Sequence, residues 1–286
     1  MPRLAVPKTF KLYINGAFPR TESGRFDPAL AADGTWRANA PRASRKDFRE
    51  AVKHARAGLG RWAGATAYLR GQILYRIAEM LEGRSAQFER ELTADGRSAA
   101  EARAEVAAAV DRLVHYAGWT DKIRQVFGTV NPVSSSHFNF SVPEPTGVVA
   151  ILAPDTPALL GLVSLIAPVI AGGNTCIALV SSAHPLAGLT LGEVLHASDL
   201  PAGVVNLLAG RRSELAAPFA SHMDVNAIVS AGGDATERKM IEETAVGNLK
   251  RVIDRSGTDW FAPTAQSPYA VLDTQEIKTT WHPVGL

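Results

Sequence analysis

Seven histidines (54, 115, 137, 184, 196, 222 and 282), one cysteine and 28 acidic residues are the groups in this 286-residue chain that could ligate a metal, attack a carbonyl or move a proton. No two histidines stand four apart, the spacing that sets two imidazoles on one helix face, so the sequence presents no metal motif. Cys176, being alone, excludes an intrachain disulfide and a cysteine-based zinc site. It also falls inside an apolar run, where a thiol behaves as a small buried hydrophobe. Glu242-Glu243 sits in an amphipathic helical pattern and reads as a solvated face rather than an acid-base pair. Gly58-Leu59-Gly60-Arg61-Trp62-Ala63 spells the dinucleotide fingerprint G-x-G-x-x-A, but it follows a helical pattern instead of a strand and lacks the context that gives the motif its meaning.

The elements that would have to position any site are plainer. Asp155 is the only charge between Glu144 and His184. Within that stretch Val148 to Leu152 is a β-branched run of the kind covered on both faces, Ala158 to Ala171 an apolar helix, and Thr175 to Val180 a second buried strand. Gly172-Gly173-Asn174 stops the helix. Pro168 and that break leave no uninterrupted apolar helix of about 20 residues, which argues against a membrane span. The beat continues with helix 186–197, strand 204–208, helix 213–221, strand 227–230, helix 234–245 and strand 251–254, a β-α alternation that predicts a parallel sheet with helices on both faces.

Upstream, Asn15-Gly16 within Lys11 to Phe18 predicts a β-hairpin. Ser44 and Asp47 cap a helix carrying Phe48, Val52, Ala55 and Leu59, with Trp62 anchoring its end. Residues 70–82 (Ile73, Leu74, Ile77, Met80 and Leu81 inward) and 99–119 (Val106, Val110, Leu113 and Val114 inward) repeat the pattern, so the first 130 residues are expected to be mostly helical. Ser134 to Val142 alternates polar residues with Phe138, Phe140 and Val142, as a half-exposed strand does. Gly257 to Ser267 reads as loop. The 274–281 segment alternates as a strand with no neighbour in sequence, an open edge that needs a partner. Net charge is +2, with 46% hydrophobic and 20% charged residues. That composition describes a folded chain without the basic patch of a nucleic-acid binder. The N-terminus lacks the apolar core of a secretory signal, and the expectation is a cytoplasmic protein.

Several segments together resemble the aldehyde dehydrogenase superfamily: KLYINGAF, RASRKDFREAV, RGQILYRIAEMLEGR, EVAAAVDRLVHYAGWTDKI, EPTGVVAILAP, IAPVIAGGNT, LPAGVVNLLAG, NLKRV and the closing QEIKTTWHPVG. The resemblance implies an α/β fold with a Rossmann-type doubly wound parallel sheet, an N-terminal helical region and a small β arm. The expected parts are 1–133 (hairpin and helices), 134–145 (oligomerisation arm), 146–257 (coenzyme-type core) and 258–286 (linker and assembly strand). In the family that tail joins the arm in subunit packing.

The chemical positions depart from the family. Its catalytic domain, with the nucleophilic cysteine, follows the strand after NLKRV, whereas here Gly257 to Pro268 leads straight to the tail. Thr156 stands for the oxyanion-stabilising asparagine. Leu179-Val180-Ser181-Ser182 replaces the ribose-gripping Lys-Pro-Ser-Glu. Ala231-Gly232-Gly233, followed by Asp234, replaces the pyrophosphate-binding turn and adds negative charge there. Arg255, which stays protonated, stands for the general-base glutamate. Ala153, Pro154, Ser181, Gly232 and Gly233 remain as a degenerate set of coenzyme contacts, implying no cofactor or weak NAD(P) binding. The expectation is a catalytically inactive relative that assembles with itself or with a full-length aldehyde dehydrogenase, and with neither nucleic acid nor membrane. The alternatives are an NAD(P)-dependent aldehyde oxidoreductase or its coenzyme-binding subunit, and a small-molecule-binding sensor.

Overall fold

The computed structural model of the chain describes Leu4 and residues 6–285. Asn15 and Gly16 both take positive φ and close a turn, as that dipeptide predicts. The segment makes only isolated bridges, however: Ile14 to Ala17, and Tyr13 to Leu207 at the edge of the central sheet. The expected hairpin is thus a turn docked on a distant strand. A true hairpin follows, from β1 (Phe26–Leu30) and β2 (Trp36–Pro41), antiparallel across the Asp33-Gly34 turn. The first 130 residues are otherwise mostly helical, as expected; this hairpin was not foreseen, because its strands carry prolines and alanines in place of the β-branched residues that would announce them.

Helix α1 (Arg45–Ala63) starts on a capping box in which Ser44 and Asp47 bond each other's backbone. Trp62 is fully buried and its indole N–H reaches the carbonyl of Ile170 at 3.0 Å. Helices α2 (Ala67–Glu82), α3 (Ser85–Ala94), α4 (Ala99–Trp119) and α5 (Ile123–Phe127) follow. Along α4, Val114 turns outward at 41% exposure, contrary to expectation, while the charged Glu105 and Arg112 are buried. Partners on the buried helix Ala158–Ala171 and in the linker explain the exchange.

Strands β3 (Thr129–Asn131) and β4 (His137–Pro145) lead to the buried unit β5 (Val148–Leu152), α6 (Ala158–Ala171) and β6 (Thr175–Leu179). Then come α7 (Pro185–His196), β7 (Val205–Leu208), α8 (Arg212–Ser221), β8 (Ala227–Ser230), α9 (Ala235–Ala245) and β9 (Arg251–Asp254). The linker holds a 3-10 turn at Pro263–Gln266, within the expected loop, and then a short α10 (Tyr269–Leu272) before β10 (Gln275–Pro283). Five strands form one parallel sheet in the order β7-β6-β5-β8-β9. Alternate residues of β5 serve two cores: Val149 and Ile151 pack toward α2, α4, α6 and α7, and Val148, Ala150 and Leu152 toward α1 and α8. That is the doubly wound arrangement read from the sequence. No helix among the described residues is long and apolar enough to cross a membrane.

Every residue of α6 is buried, and its Pro157 cap supplies no side chain to the first N–H groups. Glu105 of α4 does so, accepting from the N–H of Leu159 at 2.8 Å and of Leu160 at 3.3 Å. Burial pushes its carboxyl up, and those two donors pull it back. Glu105→Ala strands both N–H groups in the core and is expected to cost about 2–3 kcal/mol. Glu105→Gln, which keeps an acceptor, should recover part of that loss, both read as shifts of the urea midpoint at unchanged slope.

Candidate functional site

The crevice of a doubly wound sheet lies beyond the carboxyl ends of the strands where the order reverses, here around β5, β6 and β8. Ala153 and Pro154 leave β5, Ser181 leaves β6, and Ala231-Gly232-Gly233 leaves β8. The predicted coenzyme contacts Ala153 and Gly232 do converge there. They converge on a side chain of the protein itself.

That side chain is Arg212, the first residue of α8. Its Nε donates to Glu237 Oε1 at 2.7 Å, Nη1 to the carbonyls of Ala231 at 2.9 Å and Ala153 at 3.2 Å, and Nη2 to Ser230 Oγ at 2.7 Å and the Gly232 carbonyl at 3.3 Å. A guanidinium has five N–H bonds, and all five are spent. The Arg212 and Glu237 side chains are 16% and 18% exposed, so the pair lies inside the crevice. A positive charge at a helix N-terminus opposes the peptide dipole, and only dedicated acceptors keep it there. Gly233 belongs to this arrangement, since a Cβ on it would lie 2.4 Å from Glu237 Oε1 and its φ is +79°. Asp234 turns away to cap α9, accepting from Glu237 N–H at 2.8 Å.

The second filling group is Asp155. Its Oδ1 accepts from the N–H of Ser182 at 2.8 Å and of Ala183 at 3.0 Å, and lies 3.1 Å from Ser181 Oγ. Ser181 is thereby turned to Asp155 and, through its oxygen, to the His184 N–H at 2.8 Å. Pro154 packs over Gly161, where a Cβ would come within 2.4 Å of its ring. Thr156 is exposed and makes no hydrogen bond among the described residues.

Arg255 lies apart from this cluster. It pairs with Asp273 and lines a cavity of about 460 Å³ between α6, the end of β9 and the linker. Behind that cavity Arg112 holds the linker down: Nη1 reaches Ser164 Oγ at 2.6 Å and the Ala265 carbonyl at 2.9 Å, and Nη2 the Trp260 carbonyl at 2.9 Å. Tyr116 adds a hydroxyl bond to the Ser267 carbonyl at 3.2 Å. Cys176 is wholly buried in β6, and burial pushes its thiol far above the range of a reactive cysteine. No group of three potential metal ligands occurs among the described residues.

Sequence reasoning passed over Arg212, Asp155 and Arg112 as site residues. Two had a signal: Asp155 as the lone charge in an apolar stretch, and Arg212 as a cation opening a helix. Arg112 had none, because a single arginine on an amphipathic helix usually faces water.

The sequence profile described as the aldehyde dehydrogenase family matches residues 19–259. An aldehyde dehydrogenase of Aspergillus niger is 31% identical over 281 residues, covering 96% of this chain and 54% of its own length. Among solved structures, the NAD+ complex of aldehyde dehydrogenase from Bacillus cereus is 27% identical with a TM-score of 0.82, over 87% of this chain and 51% of that one. HpcC from Thermus thermophilus is 28% identical with a TM-score of 0.83, over 87% of this chain and 48% of that one. The chain thus spans about half the length of the relatives it matches, and within that span it carries their fold. It belongs to the aldehyde dehydrogenase family.

Proposed function

We propose that this chain is a non-catalytic member of its family whose task is assembly, with itself or with a full-length relative, in a reducing compartment such as the cytoplasm. The observation that carries the reading is the Arg212 guanidinium with every donor committed to the crevice walls. A relative of this fold is solved with NAD+, but the residues present here do not fit a dinucleotide. Arg212 has no donor left for a phosphate. Asp155 occupies the N–H groups of the turn after β6, and Asp234 takes the Glu237 N–H at the start of α9, a donor a pyrophosphate would otherwise use. Arg255, a protonated guanidinium paired with Asp273, cannot accept a proton. The tail supports the assembly half of the reading. β10 is ordered on β4 along nine residues, yet it is exposed along nearly its whole length.

The competing reading, an NAD(P)-dependent aldehyde oxidoreductase, is separated by direct measurement. The isolated protein is expected to reduce neither NAD nor NADP with aldehydes, and Cys176→Ala should change nothing. Turnover abolished by that substitution would reverse the conclusion. In calorimetry NAD should bind no tighter than about 10 μM, roughly 7 kcal/mol. Arg212→Ala leaves the half-buried Glu237 without its partner and should cost about 2 kcal/mol in urea unfolding. An unchanged midpoint would mean that the crevice is not held closed by this side chain. Light scattering should find an oligomer that removal of residues 270–286 converts to a monomer or an aggregate, while Lys239→Ala on the exposed face of α9 leaves its size unaltered. A monomer at micromolar concentration, alone and with a full-length relative, removes the assembly role.

A further inference from the structure

The 274–281 segment was expected to pair with the Ser134 to Val142 arm, and β10 does pair with β4, within one chain, Gln275 opposite Pro145 through Pro283 opposite His137, in the sheet order β10-β4-β3. The outer edge of β10 remains, and among the described residues no strand lies against it. Which backbone groups face that edge follows from the ends of the ladder. The Thr146 N–H reaches the Thr274 carbonyl at 3.2 Å and the Val284 N–H reaches the Ser136 carbonyl at 3.0 Å. Even-numbered residues of β10 therefore spend their backbone groups on β4, and odd-numbered ones direct theirs outward. At Gln275 the outward carbonyl is taken by Arg251 at 2.5 Å, and Pro283 has no N–H. Ile277, Thr279 and Trp281 are left with outward N–H and C=O groups, and the side chains of Ile277 and Trp281 are 55% and 58% exposed.

We propose that this edge pairs with the same edge of a second copy, antiparallel about a twofold axis through Thr279, to make a continuous six-stranded sheet. The proposal rests on the assembly reading and specifies its interface. Three registers place outward residues opposite one another near the middle of the strand. Centring on Lys278 sets two ammonium groups face to face and opposes Trp281 to Gln275, whose carbonyl is already used. Centring on Thr280 opposes Ile277 to Pro283, which has no hydrogen to give. Centring on Thr279 pairs Thr279 with its copy and Ile277 with Trp281, so all outward groups of the three residues find partners. That register also sets Glu276 opposite His282 and Lys278 opposite Thr280, with no like charges opposed. Ile277 against Trp281 is the β-branched and aromatic pair that stabilises antiparallel strands. Symmetry makes the same surface serve both copies.

In the Thr279-centred register, Lys278 of one copy and Thr280 of the other form a non-hydrogen-bonded pair, the closest approach in an antiparallel ladder. Lys278→Cys and Thr280→Cys proteins, purified separately and oxidised, should each stay uncross-linked, whereas their mixture should give a disulfide-linked dimer; Cys176 is fully buried and stays out of the reaction. Cross-linking of Lys278→Cys alone, or of Thr280→Cys alone, would place the axis elsewhere and overturn the proposal. Thr279→Pro removes an outward N–H without touching the β4 ladder, and should weaken the dimer at least tenfold in sedimentation with unchanged circular dichroism. A dimer that survives this substitution and never cross-links uses another surface, which ends this proposal and leaves the assembly reading standing. A β10 that cross-links only to a full-length relative ends it too. A monomer under all these conditions ends both.

Discussion

A helix with no charged side chain, buried on every side, has to find acceptors and donors for its ends in other parts of the chain, because water cannot reach them. α6 is that helix, and its termini account for much of what surrounds it. At the N-terminus Glu105 comes across from α4. At the C-terminus the carbonyl of Ile170 takes the Trp62 indole, that of Ala171 takes Arg70 Nε at 3.2 Å, and that of Gly172 takes the Gln275 amide at 3.3 Å. Midway, Ser164 meets Arg112, which in turn clasps the linker. The first residue of β10 is thus fixed by the same orphan groups that fix α1, α2 and α4. Core and tail are one problem of backbone satisfaction.

The crevice obeys the same rule with charge added. Strand ends in a doubly wound sheet leave carbonyls facing a shared hollow, and a guanidinium with five donors suits them well when its charge is balanced nearby. Glu237 supplies that balance, and Asp155 does the equivalent for exposed N–H groups after β6. The polar groups around the hollow are thus satisfied from within. Arg255 and Asp273 repeat the device at the edge of the sheet, joining the end of β9 to the linker.

The arm and tail show how register turns a sequence pattern into a surface. Proline at 143 and 145 falls on positions of β4 that owe no N–H to β10, so the ladder runs without a break. Ser141 Oγ meets Thr279 Oγ1 at 2.7 Å and the Asn131 amide at 2.9 Å, a polar seam across all three strands. This leaves the apolar residues of β10 outside, where alternation alone would have assigned one face to a core.

The sequence by itself determined the buried β-α-β unit, the alternation that follows it and the capping box of α1. Each is a statement about neighbours within a few residues, where periodicity and turn chemistry act directly. It was silent on the β1-β2 hairpin, whose alanines and prolines carry no strand signal, and it placed Val114 inward because helical spacing sees a stripe and not the partner across from it. Only the tertiary structure decided that Arg212 closes the crevice, since its acceptors come from segments 18 to 59 residues away. It alone decided that Glu105 and Arg112 are buried, since their partners lie 54 and 52 or more residues away. A charged side chain is solvated by default, and the exception depends on groups brought near by folding, which no local spacing encodes.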